Sequence, residues 1–405
     1  MSNQPLKGVK VIDLTYFVAG PGSAKILADW GADVIKVEPS FGDPGRGTGC
    51  TMCMPTDDNS NPFYSTYNSN KRGLSVNLKT TEGKEALRRL LKTANVFVTS
   101  YRTAALKRLG LDYETLSEEF PHIVWAQING FGDYGPAKDN PGFDTVAFWA
   151  RSGAMIDIAE KDTSPINPPI GFGDATTACS LAGGICAALY EQQKTGKGQK
   201  VMVSLFAQAI WNMSAVVAST QSGDVYPKSR KNAVSPVIDS FKCKDGKWIF
   251  LSILEHNRYY NDLMEKVLCR SDLVDDERFA TTEAGKKNAA ELIEIIEGEF
   301  AKYTQDEMVA KLTAADIAHE RILHTTDVLV DPQALANNYI VEIKNRDGSV
   351  TKYAQPPVKF NDIEPVINCD APKIGQHSYE ILREIGYSDK EIDKMVEDGI
   401  VTCKK

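Results

Sequence analysis

Apolar and polar positions along the first half of this chain follow two alternating periods. Short apolar runs, "GVKVIDL" (8–14), "ADVIKVE" (32–38), "LSVNL" (74–78), "NVFVTS" (95–100) and "IVWAQI" (123–128), predict buried strands. Between them the spacing turns helical, as in "GSAKILADWG" (22–31) and "TEGKEALRRLLKTA" (81–94), where Leu87, Leu90, Leu91 and Ala94 share one face. From Ala178, the positions Leu181, Ala182, Ile185, Cys186 and Leu189 form another helical stripe. That helix ends at the turn "KTGKGQ" (194–199), and "KVMVSLF" (200–206) is the next strand. Strands alternating with helices predict parallel crossover units in a doubly wound α/β sheet.

The pattern changes near residue 220. "SGDVYPKSRKNAVSP" is polar and turn-rich, as expected of a crossing between domains. Beyond it, "SFKCKDGKWIFLSI" predicts a hairpin turning at Asp245-Gly246, followed by helices, one opened by a Thr304/Glu307 capping box. A second hairpin turns at Asp347-Gly348, and a helical tail carries a Ser388/Glu391 capping box. The expected organisation is a large domain from 1–220, a small α+β domain from 221–330, and a return segment from 331–405.

Composition narrows the function. The 405 residues carry a net charge of -8, which leaves no broad basic face for nucleic acid. No apolar leader is visible at the start, and no run reads as long enough to span a membrane, so a cytoplasmic protein is expected. Eight scattered cysteines read as reduced thiols. Cys50 and Cys53 form a C-x-x-C without a second pair or a histidine cluster, so no metal site is expected there.

The stretch "GFGDATTACSLAGGICAALYE" (171–191) sets Asp174 between flexible glycines and the apolar stripe. Two readings stand open: an N-cap accepting free backbone N–H groups, or a catalytic carboxylate whose glycine neighbours admit a substrate. The first β-α-β unit invites a dinucleotide reading, with Glu38 on a ribose. Its loop is "TYFVAGPGSAK", not G-x-G-x-x-G, and Pro21 removes an N–H.

Taken together, "LKGVKVIDLTYFVAGPGSAKILADWGADVIKVE", "YNSNKRGLSVNLKTTEGKEAL", "KTGKGQKVMVSLFAQA" and "PKIGQHSYEILREIGYSDKEID" resemble the class III CoA-transferases nearly end to end. "LDYETL" and "AQINGFGDYGPAKDNPGFDTVAFWARSG" resemble the anaerobic branch that moves CoA among 2-hydroxy acids and 2-enoyl counterparts. The resemblance implies a Rossmann-like large domain and an interlocked-ring homodimer. It implies acyl-CoA and a small carboxylic acid as substrates, with no permanently bound cofactor. Asp174 matches the catalytic aspartate, which forms a mixed anhydride and then an aspartyl-CoA thioester, while N–H groups at its helix start steady the oxyanions.

Phe17, Val18 and Ala19 match the loop lining the acyl and pantetheine site, with Gly173, Phe143 and Asp144 nearby. Val76 and Lys79 match adenosine-side contacts, and Ser100, Tyr101 and Arg108 the nucleotide end. An arginine and a lysine of the formyl-CoA enzyme fall at Pro39 and Pro141, leaving Arg46 and Lys138 as stand-ins. Val18 replaces a polar glutamine, which implies a larger, less polar acyl pocket. The rivals are a racemase of the same fold, which uses histidine where this chain has Phe143, and a non-catalytic acyl-CoA-binding protein.

Overall fold

A computed structural model describes residues 4–361 and 370–403. The chain packs as two units: Met1–Ala154, Asn167–Val217 and Leu335–Lys405 form the first, Met155–Ile166 and Ala218–Ala334 the second. Met155–Ile166, inside the span read from the sequence as the large domain, thus packs with the second unit.

The first unit is built on β1 (Lys10–Leu14), β2 (Asp33–Glu38), β3 (Arg72–Val76), β4 (Val96–Thr99), β5 (Val124–Asn129) and β6 (Lys200–Ser204). Their order in the sheet is 3-2-1-4-5-6, all parallel, with a short strand Val401–Thr402 antiparallel on β3. Both faces are buried: Ile12, Ile35, Val96, Phe97 and Val124 are inaccessible to solvent, which is why these strands read as continuous apolar runs. β3 starts two residues before the predicted stretch, because its polar first residue Arg72 sits at the rim, paired with Asp33, Glu380 and Glu384.

Three helices matter for the site. α1 (Ala19–Asp29) follows β1, and α2 (Thr81–Thr93) follows β3. Thr80 caps α2 by accepting from the Gly83 N–H, and Leu87, Leu90 and Leu91 enter the core, roughly 1.5–3 kcal/mol each. α3 (Phe172–Thr195) buries Leu181, Ala182, Ile185 and Ala188 and stops at Gly196, whose φ of +70° suits glycine alone. Contrary to the sequence expectation, α3 is long and apolar enough by length and composition to cross a membrane. Its glycines, alanines and cysteines raise the mean hydropathy without forming an unbroken run of large apolar residues. Here its Leu181–Ile185 stripe is buried in the unit.

The second unit holds an antiparallel sheet of β7 (Ile238–Lys242), β8 (Trp248–Ser252) and β9 (His319–Ile322), turning at Asp245-Gly246 with Gly246 at φ +81°. Helices Ala289–Phe300 and Gln305–Ala314 back it, the second opened by the Thr304/Glu307 capping box. In the first unit, β10 (Ile340–Lys344) and β11 (Val350–Ala354) form the second hairpin, and Ser388/Glu391 cap the helix Asp389–Glu397.

Candidate active site

In the 3-2-1-4-5-6 order the direction of strand addition reverses between β1 and β4, opening a crevice at their carboxyl ends. The segments leaving those strands meet there. The Tyr16 N–H donates to Ser100 Oγ at 2.9 Å, and the Tyr16 and Tyr101 rings stack 4.9 Å apart with their hydroxyls hydrogen-bonded. A cavity of about 360 Å³ lies over this junction, and Asp174 and Asp144 are on its wall.

Asp174 does not cap its helix. It is the third residue of α3, and the residue just before the helix, Gly171, has no side chain to cap it. The cap comes from Asp144, at the start of a π-helical stretch (Asp144–Ala150) and 27 positions before Gly171. Asp144 Oδ2 accepts the Gly171 N–H at 3.0 Å, and the Gly173 and Asp174 N–H groups also favour its charged form. Asp144 Oδ1 lies where a Cβ on Gly173 would come within 2.3 Å, and within 2.4 Å of Phe148, so only glycine fits. Burial still leaves the Asp144 carboxyl above its ordinary range. The Gly171 N–H, just before α3, is therefore engaged by a carboxylate.

Burial first, and the neighbouring Asp144 second, push Asp174 up to about 7. Neither cause is offset by a cation. The same pair, added to burial, raises the Tyr67 hydroxyl to about 12. The resulting carboxylate is poorly solvated and titrates at neutral pH, as a nucleophile or base in a cleft requires.

Opposite α3 stands the start of α1, which no side chain caps; Val18, Ala19 and Gly20 line the cavity there. Gly22 brings the two helices together, since a Cβ on it would sit 3.2 Å from that of Ala178. Phe17 holds φ +64°, a left-handed conformation rare for a bulky side chain, and its ring meets Phe143 edge-on at 5.7 Å.

Beneath this loop lies a charge network for which the sequence reading assigned no role. Lys36 and Lys71 are buried; Lys36 pairs with Asp43 at 2.9 Å and Lys71 with Asp13 at 2.8 Å. Burial, only partly offset by Asp13, lowers Lys71 to about 8. A lysine inside the apolar run "ADVIKVE", in register with Asp13 on the neighbouring strand, was the available signal.

Of the residues singled out by sequence, Phe17, Val18, Ala19, Ser100, Tyr101, Lys138, Phe143, Asp144 and Asp174 line one cavity, and Gly173 lies directly against Asp144. Four do not reach it. Val76 is packed in the core, and Lys79 and Arg108 are exposed away from the cavity lining. Arg46 is occupied: its guanidinium grips Glu38 in two bonds of 2.8 and 2.6 Å and reaches Tyr64 and the Pro372 carbonyl. That pairing also takes Glu38 out of any ribose role. Arg102, Asn129 and Asn140 line the cavity without having been singled out. Cys50 and Cys53 are exposed and unpaired, and Cys369 is outside the described residues.

Comparison with known proteins gives a consistent picture. The family model described as CoA-transferase family III matches residues 6–378. The chain is 39% identical to the (R)-2-hydroxy-4-methylpentanoate CoA-transferase of Clostridioides difficile, covering 98% of this chain and 99% of that protein. It is 38% identical to the cinnamoyl-CoA:phenyllactate CoA-transferase of Clostridium sporogenes, over 98% and 97% of the two chains. Among solved structures, a CAIB/BAIF family protein from Brucella suis superposes with a TM-score of 0.82 at 28% identity, covering 95% of this chain and all of that one.

Proposed function

The chain belongs to CoA-transferase family III, and from that premise we propose that it moves CoA from a 2-enoyl- or 2-hydroxyacyl-CoA to a free 2-hydroxy acid through Asp174. One observation carries the reading: a desolvated carboxylate with no compensating cation stands on the wall of the switch-point cavity.

Chemically, an ionised Asp174 oxygen attacks the thioester carbonyl. Collapse of the tetrahedral intermediate expels CoA thiolate and leaves an aspartyl-acyl anhydride. The thiolate attacks the aspartyl carbon, releasing the first acid and forming an aspartyl-CoA thioester. The incoming carboxylate then displaces the thiolate, and the thiolate's return to the new acyl carbon regenerates Asp174. With the Gly171 N–H engaged by Asp144, the uncapped N–H groups of Ala19 and Gly20 at the α1 start serve the oxyanions. Phe17, Val18 and Phe143 form the apolar acyl wall, and Arg102 and Lys138 are the cations beside the CoA phosphates. Apart from CoA itself, the cycle consumes no cofactor.

The same reading places two chains in the working enzyme, as interlocked rings. In its support, α3 also carries apolar residues outward: Ile170 just before it, Phe172 and Tyr190 are all at least half exposed to solvent in the single chain. A cytoplasmic setting agrees with the seven described cysteines being free thiols.

The test is covalent capture. Wild type incubated with cinnamoyl-CoA and then hydroxylamine should carry one hydroxamate, on Asp174, located by peptide mass spectrometry. Asp174→Asn should abolish labelling and cut transfer by orders of magnitude while still folding. A label on Asp144, or substantial turnover in the Asn variant, overturns the assignment.

A further inference from the structure

The loop joining β1 to α1, together with the first turn of α1, is held from below by buried charges at three points. Lys36 Nζ donates to the Thr15 carbonyl, and Lys71 Nζ donates to the Pro21 carbonyl at 2.8 Å. Between these ends, Asp43 Oδ1 accepts the Phe17 N–H at 3.1 Å and the Gly45 N–H at 2.8 Å, while Oδ2 accepts from Lys36 at 2.9 Å. Asp43 is itself 2% exposed, and its own N–H donates to Glu38 Oε2 at 2.8 Å.

Phe17 is the one loop residue bound at its amide by Asp43, and it is the one with φ +64°. A non-glycine residue there is disfavoured by roughly ten- to a hundredfold. Glycine would occupy the position freely, so the strain is spent on the ring. That ring faces the cavity and meets Phe143 edge-on.

We propose that Asp43 is the positioning residue for acyl selectivity: its carboxylate holds Phe17 in the left-handed conformation that sets the aromatic wall of the acyl pocket. Asp43 touches no substrate and acts only through Phe17. The inference rests on the acyl-transfer reading above and adds to it the element that reads the acyl group.

The measurement is the ratio of kcat/KM for cinnamoyl-CoA to that for acetyl-CoA, with phenyllactate as the common acceptor. Asp43→Asn loses the charge paired with Lys36 and should lower the ratio about tenfold. Phe17→Gly should lower it similarly, and the double variant should fall no further than Phe17→Gly, because both changes remove the same wall. Gly45→Ala is a gentler probe. Its added Cβ would stand 3.1 Å from Asp43 Oδ1 and 3.3 Å from the Phe17 Cα, and the ratio should drop about threefold. This variant decides the matter if Asp43→Asn does not fold. A purely structural role would reduce both donors together and leave the ratio unchanged in Asp43→Asn and Gly45→Ala, overturning the inference. Multiplicative losses in the double variant would also overturn it. Wild type that transfers CoA from neither donor would instead sink the acyl-transfer reading, and this inference with it.

Discussion

In the proposed reaction the Asp174 anion is the nucleophile, so activity should be a steep function of pH. Asp174 titrates near 7 rather than 3.8, for two reasons ranked in order: burial, then the charge of Asp144. Only the anion attacks, so kcat/KM should track the ionised fraction. With a pKa of about 7 that fraction is about a tenth at pH 6 and about nine-tenths at pH 8, a rise of roughly tenfold. The Asp144 charge is the second of the two causes, so Asp144→Asn should move the midpoint down, while the remaining amide oxygen still accepts the Gly171 N–H. The assay is initial-rate transfer from cinnamoyl-CoA to phenyllactate between pH 5 and 9, paired with hydroxamate yield. The acceptor is already ionised throughout this range and adds no titration of its own. A flat wild-type profile from pH 6 to 8, or a midpoint displaced upward in Asp144→Asn, would refute the assignment of the titrating group.

Three further outcomes follow from the same geometry. The folded Asp174 binds its proton more tightly than the unfolded chain, so wild-type stability falls as pH rises from about 4 to 7. Asp174→Asn should gain on wild type across that window by about 2 kcal/mol, half the full linkage value because the side chain is partly exposed, and hold the gain above pH 7; denaturant melts at pH 4 and 8 with equal gains would contradict this. Val18→Gln introduces an amide into the buried Val18 site beside Gly171 and should penalise cinnamoyl-CoA more than acetyl-CoA; equal losses would show that this position does not read the acyl group. Sedimentation should show a dimer that survives dilution and high salt, whereas a readily diluted monomer would sink the interlocked pairing.

The strands of the first sheet were legible because parallel strands are buried on both faces, and an unbroken apolar run has few other uses. β3 was misplaced by two residues where the paired head of Arg72 makes a strand residue look like loop. The site was legible unevenly. Ser100 and Tyr101 directly follow β4, at the carboxyl end that a doubly wound sheet reserves for ligands, and they line the cavity. Val76 points into the core, and Arg46 spends its charge on Glu38; no spacing rule separates a free arginine from a paired one. The N-cap reading of Asp174 failed for a related reason. The capping carboxylate arrives from Asp144, a contact between segments that leaves no local mark.

Val401–Thr402 adds to β3 from more than 300 positions away. Until those residues leave the ribosome, the edge of β3 offers unpaired N–H and C=O groups beside an otherwise assembled sheet. At ordinary elongation rates the stretch from the end of β6 to those residues takes on the order of 10–40 s, with the second unit synthesised meanwhile. A polysome carrying several such chains holds several open edges close together, which favours pairing between neighbours. Yield on expression should then depend on how that edge is shielded during translation, and slower than it would for a sheet closed by adjacent strands.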